Sequence, residues 1–174
     1  FWGWGTEFGP KDVDELLEAA NEVGINFIDT AELYGQGESE RQIGLSLSHV
    51  SSSFVIASKV SPWHLNYKSV YEAACKSLER LAIPSIDLYQ IHAPNPFMPI
   101  KATMRGMTRL LSEGKIAQVG VSNFSLKRWR RAELKLGRSI VANQMEYSLL
   151  RPGNYGHLHS MLDEDHCMIA YSPL

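Results

Sequence analysis

The stretch that decides the fold is Gly24–Gly44, GINFIDTAELYGQGESERQIG. It opens with a short apolar run over residues 25–28, which ends at Asp29, and a polar loop carrying Tyr34 follows. The first run predicts a strand, and the residues from Ser39 onward predict a helix. A carboxylate at the end of a strand and a phenol in the next loop are side chains that an enzyme could use.

Outward from this stretch, short apolar runs alternate with segments of helical periodicity along the whole chain. The predicted strands span residues 1–6, 25–29, 54–59, 86–92, 116–122, 140–146 and 168–172. The first predicted helix follows Pro10, with Val13, Leu16, Leu17 and Ala20 on one face. A second runs through Leu47 and begins with the capping-box pattern of Ser39 and Gln42. Another spans Leu126–Leu136 and has a basic face, and a short one is marked by Leu158, Met161 and Leu162.

The spacing of the strand ends, about 30 residues, is that of one strand, one helix and two loops. Such alternation indicates parallel strands joined by right-handed crossovers. Either a doubly wound sheet or a (β/α)8 barrel fits this order. A dinucleotide-binding sheet should carry GxGxxG after its first strand, and GWGTEFG has the wrong spacing. We therefore predict an α/β fold, an incomplete (β/α)8 TIM barrel with about seven of its eight strands, forming one domain over residues 1–174 and truncated after strand seven.

Composition excludes several classes of function. The 174 residues are 44% hydrophobic with a net charge of -2, so nothing favours binding to nucleic acid or to an anionic membrane. No apolar run is long enough to span a bilayer. Two distant cysteines predict free thiols, and the spacing of His157, His159 and His166 predicts surface residues, with no metal site. We expect a cytoplasmic or plastid protein, and the oligomeric state is left open.

Chemically useful side chains recur at the predicted strand ends, which meet at one rim of a barrel. They are Asp29, Lys59, His92, Ser122, Asn123, Gln144 and Ser172. Each alone has a structural alternative: Asp29 could cap its loop, Lys59 could extend along an apolar surface to reach water, and His92 could bond to a turn. Their convergence on one rim favours a functional site.

Together these residues carry a family resemblance. DTAELYGQGESERQIG, a strand ending in Lys59, YQIH ending in His92, GKIAQVGVSNFS, NQMEYSLL and IAYSPL occur in the order that is typical of aldo-keto reductases. The chain resembles that family from its first predicted strand to its end. The resemblance implies reduction of an aldehyde or ketone by hydride transfer from NADPH, or alcohol oxidation in reverse.

A catalytic tetrad of Asp29, Tyr34, Lys59 and His92 is implied by the resemblance. A carbonyl that accepts a hydride becomes an alkoxide and needs a proton, which Tyr34 would donate. A phenol is a poor acid near neutral pH, and a nearby ammonium makes it more acidic. Asp29 would hold Lys59 in place, and His92 would donate a hydrogen bond that orients the carbonyl.

The resemblance also implies a shelf for the nicotinamide cofactor. Its expected residues are Gly5, Thr6, Asp29, Ser122, Asn123, Gln144, Tyr171, Ser172 and Leu174. NADP(H) is the expected cofactor. NAD is not excluded, because the segment that binds the 2′-phosphate in the family follows strand eight, and the chain is predicted to be truncated after strand seven. Ala93 stands where many members have Trp after the catalytic His, which leaves substrate preference open.

Three alternatives remain at this stage. Lys59 could be the nucleophile of a Schiff-base lyase or aldolase on the same barrel. The protein could be a non-catalytic subunit that binds a nicotinamide cofactor. The 174-residue chain could also be an inactive fragment, and we expect this piece alone to be unstable or inactive.

Overall fold

The computed structural model describes residues 9–49, 54–153, 156 and 166–173. Within these ranges the strands are β1 Phe27–Asp29, β2 Val55–Val60, β3 Ile86–Ile91, β4 Ile116–Ser122, β5 Ala142–Glu146 and β6 Cys167–Tyr171. The α-helices are α1 Pro10–Glu22, α2 Glu38–Leu47, α3 Tyr67–Leu81, α4 Ile100–Ser112 and α5 Leu126–Leu136. A 3₁₀ turn, Tyr34–Gly37, precedes α2.

All six described strands are parallel and hydrogen-bond in chain order, from β1 to β6. The predicted strands from residue 25 onward are therefore confirmed, with ends that move by at most two residues. The predicted strand at residues 1–6 and the predicted short helix around Leu158 lie outside the described residues.

One hydrogen bond shows that the sheet is curled. Gln144 Nε2 on β5 donates to Asp29 Oδ2 on β1 across 3.0 Å. In a flat sheet these strands would lie about 19 Å apart, four spacings of about 4.8 Å. The strands must therefore bend round a common axis with the helices outside, which is the architecture of an incomplete (β/α)8 barrel.

The two faces of the curled sheet have different chemistry. Outward side chains such as Val60, Tyr89 and Val121 are fully buried under the helices and form the main apolar core. Inward side chains form layers across the barrel, as the alternation of strand residues requires. Ala57, Leu88 and Ala142 make an apolar layer. Above it, toward the carboxyl ends of the strands, lies a polar layer: Asp29, Lys59, Gln90, Ser122 and Gln144.

Two details of the helices differ from prediction. The helix α2 begins at Glu38 after Gly37, whose φ of 91° is left-handed, and no side chain caps it. Ser39 lies inside the helix and its Oγ hydrogen-bonds to Thr30 Oγ1 at 2.9 Å, so the predicted capping box is wrong. On α1, Val13 and Leu17 are buried as expected, whereas Leu16 is exposed.

Candidate active site at the carboxyl ends of the strands

A left-handed turn places Tyr34 over the end of β1. Gly35, Gln36 and Gly37 follow it with φ values of 58°, 56° and 91°. A left-handed backbone is easily adopted by glycine and rarely by other residues, which explains the two glycines at this turn. The turn reverses the chain into α2 directly after Tyr34, so the phenol stays near Asp29 and is only partly buried.

Lys59 is the centre of the site. Its side chain is fully buried near the end of β2, where an ammonium is costly unless its hydrogens are all bonded. Lys59 Nζ donates to Asp29 Oδ2 at 2.6 Å, to the carbonyl of Thr30 at 2.9 Å and to the hydroxyl oxygen of Tyr34 at 3.3 Å. The three hydrogens of the ammonium therefore have three acceptors, and one of them is the phenol.

Two amides hold the carboxylate of Asp29 from the other side. Gln90 Nε2 donates to its Oδ1 at 3.2 Å and Gln144 Nε2 donates to its Oδ2 at 3.0 Å. Asp29 thereby joins the ends of β1, β2, β3 and β5 through one carboxylate. Gln90 was not among the predicted site residues. The strand alternation in YQIH could have identified it, because residues two apart lie on the same face.

His92 follows β3 directly and lies beside the phenol. The rings of Tyr34 and His92 meet edge to face with centroids 5.5 Å apart. Burial lowers the pKa of His92, and the nearby Lys59 ammonium lowers it further. Its buried Nδ1 has no hydrogen-bond partner among the described residues. The lowered pKa favours the neutral imidazole near pH 7, which carries one N–H donor and one acceptor nitrogen.

The predicted cofactor residues at β4–β6 also lie together. Ser122 is buried and its Oγ accepts from Asn123 Nδ2 at 3.1 Å, while the hydroxyl of Tyr171 donates to Asn123 Oδ1 at 3.1 Å. Asn123 takes a left-handed φ of 58°, and its backbone N–H donates to the carbonyl of Gln144. Ser172 is exposed at the same edge. Gly5, Thr6 and Leu174 lie outside the described residues.

The polar atoms at this edge are of the kinds that a carboxamide could bond. A carboxamide has one acceptor oxygen and an NH₂ donor, so it needs both donors and acceptors opposite it. The side chains of Ser122 and Asn123 are hydrogen-bonded to each other, Gln144 pairs with Ser122 across β4 and β5, and their hydroxyl and amide groups include both donors and acceptors. The half-buried ring of Tyr171 offers an apolar face beside them.

Residues in the second half of Gly24–Gly44 have a structural role that sequence reasoning missed. Glu40 is fully buried and accepts from Ser58 Oγ at 2.5 Å and from Arg80 Nε at 2.7 Å. Gly44 lets α2 approach α3 closely, because a Cβ there would lie 2.5 Å from the carbonyl oxygen of Arg80. The ion pair between Glu40 and Arg80 holds α2 against α3. It thereby also fixes the turn that ends in Gly37, because that turn leads directly into α2.

Other kinds of site receive no support from the described part of the chain. In residues 9–49, 54–153, 156 and 166–173, no group of three or more His, Cys, Asp or Glu side chains could hold a metal ion. The described helices include none with the length and apolarity needed to cross a membrane. Cys75 and Cys167 are free thiols.

Comparisons with known proteins agree with this geometry. The sequence profile of the Aldo/keto reductase family matches residues 1–174. An uncharacterized oxidoreductase of Mycobacterium tuberculosis is 40% identical over 99% of this chain and 54% of its own length. The methylglyoxal reductase YeaE of Escherichia coli is 32% identical over 99% of this chain and 63% of its own length.

Solved structures give the same picture. A thermostable aldo-keto reductase in complex with the inhibitor epalrestat has a TM-score of 0.90 at 34% identity, over 98% of this chain and 65% of that one. An aldo-keto reductase of Klebsiella pneumoniae in complex with NADPH has a TM-score of 0.86 at 29% identity, covering 98% and 61%. The chain thus spans about half to two thirds of the length of these relatives. It belongs to the aldo/keto reductase family.

Proposed function

We propose that the protein containing this chain reduces an aldehyde or ketone with NADPH, and that Tyr34 donates the proton. The observation that carries the proposal is the contact between Lys59 Nζ and the hydroxyl oxygen of Tyr34, 3.3 Å. An ammonium can only donate, so the phenol oxygen accepts and its own O–H stays free for a carbonyl oxygen. The same ammonium stabilises the phenolate that remains after the proton leaves.

The cofactor supplies the hydride, since no amino-acid side chain can do so. As that hydride reached the carbonyl carbon, Tyr34 would give its proton to the carbonyl oxygen, so the products would be the alcohol and the oxidised cofactor. His92 donates a hydrogen bond to the carbonyl oxygen and orients it. Asp29 fixes Lys59 and, through Gln144, keeps the tetrad beside the nicotinamide shelf.

The proposed cofactor-binding residues are those of the sequence prediction. Ser122, Asn123 and Gln144 would hold the carboxamide, and Tyr171 would stack on the ring. Gly5, Thr6, Ser172 and Leu174 complete the proposed set. We assign NADP(H) because the structural relative from Klebsiella pneumoniae was solved with NADPH.

The geometry argues against the Schiff-base alternative. A nucleophilic lysine must present a neutral amine with a free lone pair. Lys59 instead lies 2.6 Å from the Asp29 carboxylate, which stabilises its charged form, and its three hydrogens have three acceptors. The approach of a carbonyl carbon would require this whole arrangement to break.

Steady-state kinetics on the complete natural protein test the proposal, with NADPH oxidation followed by absorbance on a panel of aldehydes that includes methylglyoxal. Tyr34→Phe should lower kcat by about 10²–10⁴-fold, the usual contribution of a positioned acid. Lys59→Met should lower it by a similar factor. The dissociation constant for NADPH should change little in the Tyr34 variant.

A matched control is Tyr71→Phe. Tyr71 also bonds its hydroxyl to a charged partner, Glu113 at 2.6 Å, but on the outer surface between α3 and α4. Its loss should leave kcat unchanged. Full activity of Tyr34→Phe would refute the role of Tyr34, and no turnover of any aldehyde by the intact wild-type protein would refute carbonyl reduction.

A further inference from the structure

Glu32 lies two residues before Tyr34 and is unusual for a carboxylate in a loop. Its side chain is only 10% exposed. Its Oε1 accepts from the backbone N–H of Ser61 in a short hydrogen bond and from His64 Nδ1 at 3.0 Å. Because a carboxylate only accepts, the proton of the imidazole must be on Nδ1. A nearly buried carboxylate that accepts from two donors is held in place by the fold, unlike a loop carboxylate that is surrounded by water.

The partners of Glu32 belong to the loop that follows Lys59. Ser61 and His64 come two and five residues after it, beyond the end of β2. The backbone of Glu32 reaches the same strand, since its N–H donates to the carbonyl of Lys59 at 3.3 Å. The loop that carries the phenol is therefore tied by its backbone to the strand that carries the ammonium, and by the Glu32 side chain to the loop that follows that strand.

The link between these two loops matters because the hydrogen bond to Tyr34 is the longest of the three that Lys59 donates. Asp29 and Thr30 hold Nζ at 2.6 and 2.9 Å, whereas the phenol of Tyr34 lies at 3.3 Å. Asp29 and Thr30 belong to β1 and its immediate continuation, so the sheet itself fixes them. Tyr34 lies four residues farther on, and Glu32 is the side chain between them that anchors the loop to the segment directly after β2.

We propose that Glu32 is a positioning residue that sets the distance between the phenol of Tyr34 and the ammonium of Lys59. Glu32 does not touch the reacting atoms; it acts through the loop. The inference rests on the proposed function, because the Tyr34–Lys59 distance matters for turnover only if Tyr34 is the proton donor. One carboxylate oxygen, Oε1, accepts both hydrogen bonds, so an amide oxygen at the same place should largely replace it.

Three variants of the complete protein test this. Glu32→Ala should lower kcat for aldehyde reduction by about 10–100-fold, since a displacement near 1 Å in a reacting group has an effect of that order. Its dissociation constant for NADPH, measured by fluorescence titration, should stay within about twofold, because the proposed shelf lies on β4–β6. Glu32→Gln keeps an acceptor oxygen and should recover kcat to within about threefold of wild type.

Glu113→Ala is the control for a purely structural carboxylate. Glu113 accepts from Tyr71 at 2.6 Å and from Arg109 at 2.7 Å, outside the barrel. Its loss should lower the melting temperature and leave kcat unchanged.

Several outcomes decide the question. A Glu32→Ala protein that folds, binds NADPH and turns over like wild type overturns the inference, and so does failure of Glu32→Gln to restore kcat. If Glu32→Ala does not fold, His64→Ala removes one of the two donors: lower kcat with unchanged NADPH affinity supports the role, and wild-type kcat overturns it. Absence of aldehyde reduction in the wild type would instead refute the proposed function.

Discussion

Replacing Arg80 with methionine should destabilise the protein by about 3–5 kcal/mol, because it leaves an unpaired charge in the interior. The carboxylate of Glu40 has no exposed surface, and Arg80 approaches its Oε2 at 2.7 Å through Nε and 2.6 Å through NH2. After the substitution, Ser58 Oγ, at 2.5 Å from Oε1, would be the one partner left among the described residues. A single neutral hydroxyl cannot offset the desolvation of a carboxylate.

The assay is urea unfolding of the complete protein, followed by far-UV circular dichroism and by tryptophan fluorescence. Agreement of the two probes tests for a single transition, which the free-energy difference requires. The double variant Glu40→Gln with Arg80→Met removes the charge together with its partner. It should regain most of the loss, since replacing a whole buried pair is often nearly neutral.

Arg41→Met provides the matched control. Arg41 pairs with Glu38 at 2.8 Å on the same helix, but the two side chains are 51% and 48% exposed. Such a pair contributes less than about 1 kcal/mol. If Arg80→Met were no more destabilising than Arg41→Met, or if the double variant were as unstable as Arg80→Met, the reasoning about the buried carboxylate would be wrong.

Two further predictions concern packing and protonation. Gly44→Ala should lower the free energy of unfolding by about 1–3 kcal/mol in the same assay, because its Cβ would lie 2.5 Å from the carbonyl oxygen of Arg80. Its control is Gly153→Ala, which should be nearly neutral because a Cβ there meets nothing within 4 Å. The pKa of His92 is lowered by burial and by Lys59, so the unfolded chain binds its proton more readily and stability should fall as pH drops below about 6.5. His92→Gln should show a shallower loss between about pH 6.5 and 5, and an identical slope would contradict the assigned cause.

The strand pattern was predictable because its signals are local. Short apolar runs with charged or polar ends predicted β4 at its observed bounds and the other described strands within two residues, and helical periodicity predicted α5 at its observed bounds. The rule that carboxyl ends of parallel strands share one edge was enough to group Asp29, Lys59 and His92 before any coordinates. Their catalytic roles stay predictions.

What the sequence could not reveal depends on pairs that are distant in the chain. Glu40 meets Arg80 forty residues away, and Gln90 meets Asp29 sixty-one residues away. The spacing of apolar residues within one segment carries no information about such a pairing. The capping-box prediction failed for a related reason: the N-cap is Gly37, two residues before Ser39, and Thr30 engages the serine hydroxyl.

The hydrogen bond from Gln144 to Asp29 joins groups 115 residues apart in sequence, which has a consequence for biosynthesis. At about 5–20 residues per second, Gln144 leaves the ribosome on the order of ten seconds after Asp29. Contacts of such long range also require the costliest loop closure. The polar layer therefore cannot be completed until β5 has left the ribosome, well after the strands that carry Asp29, Lys59 and Gln90.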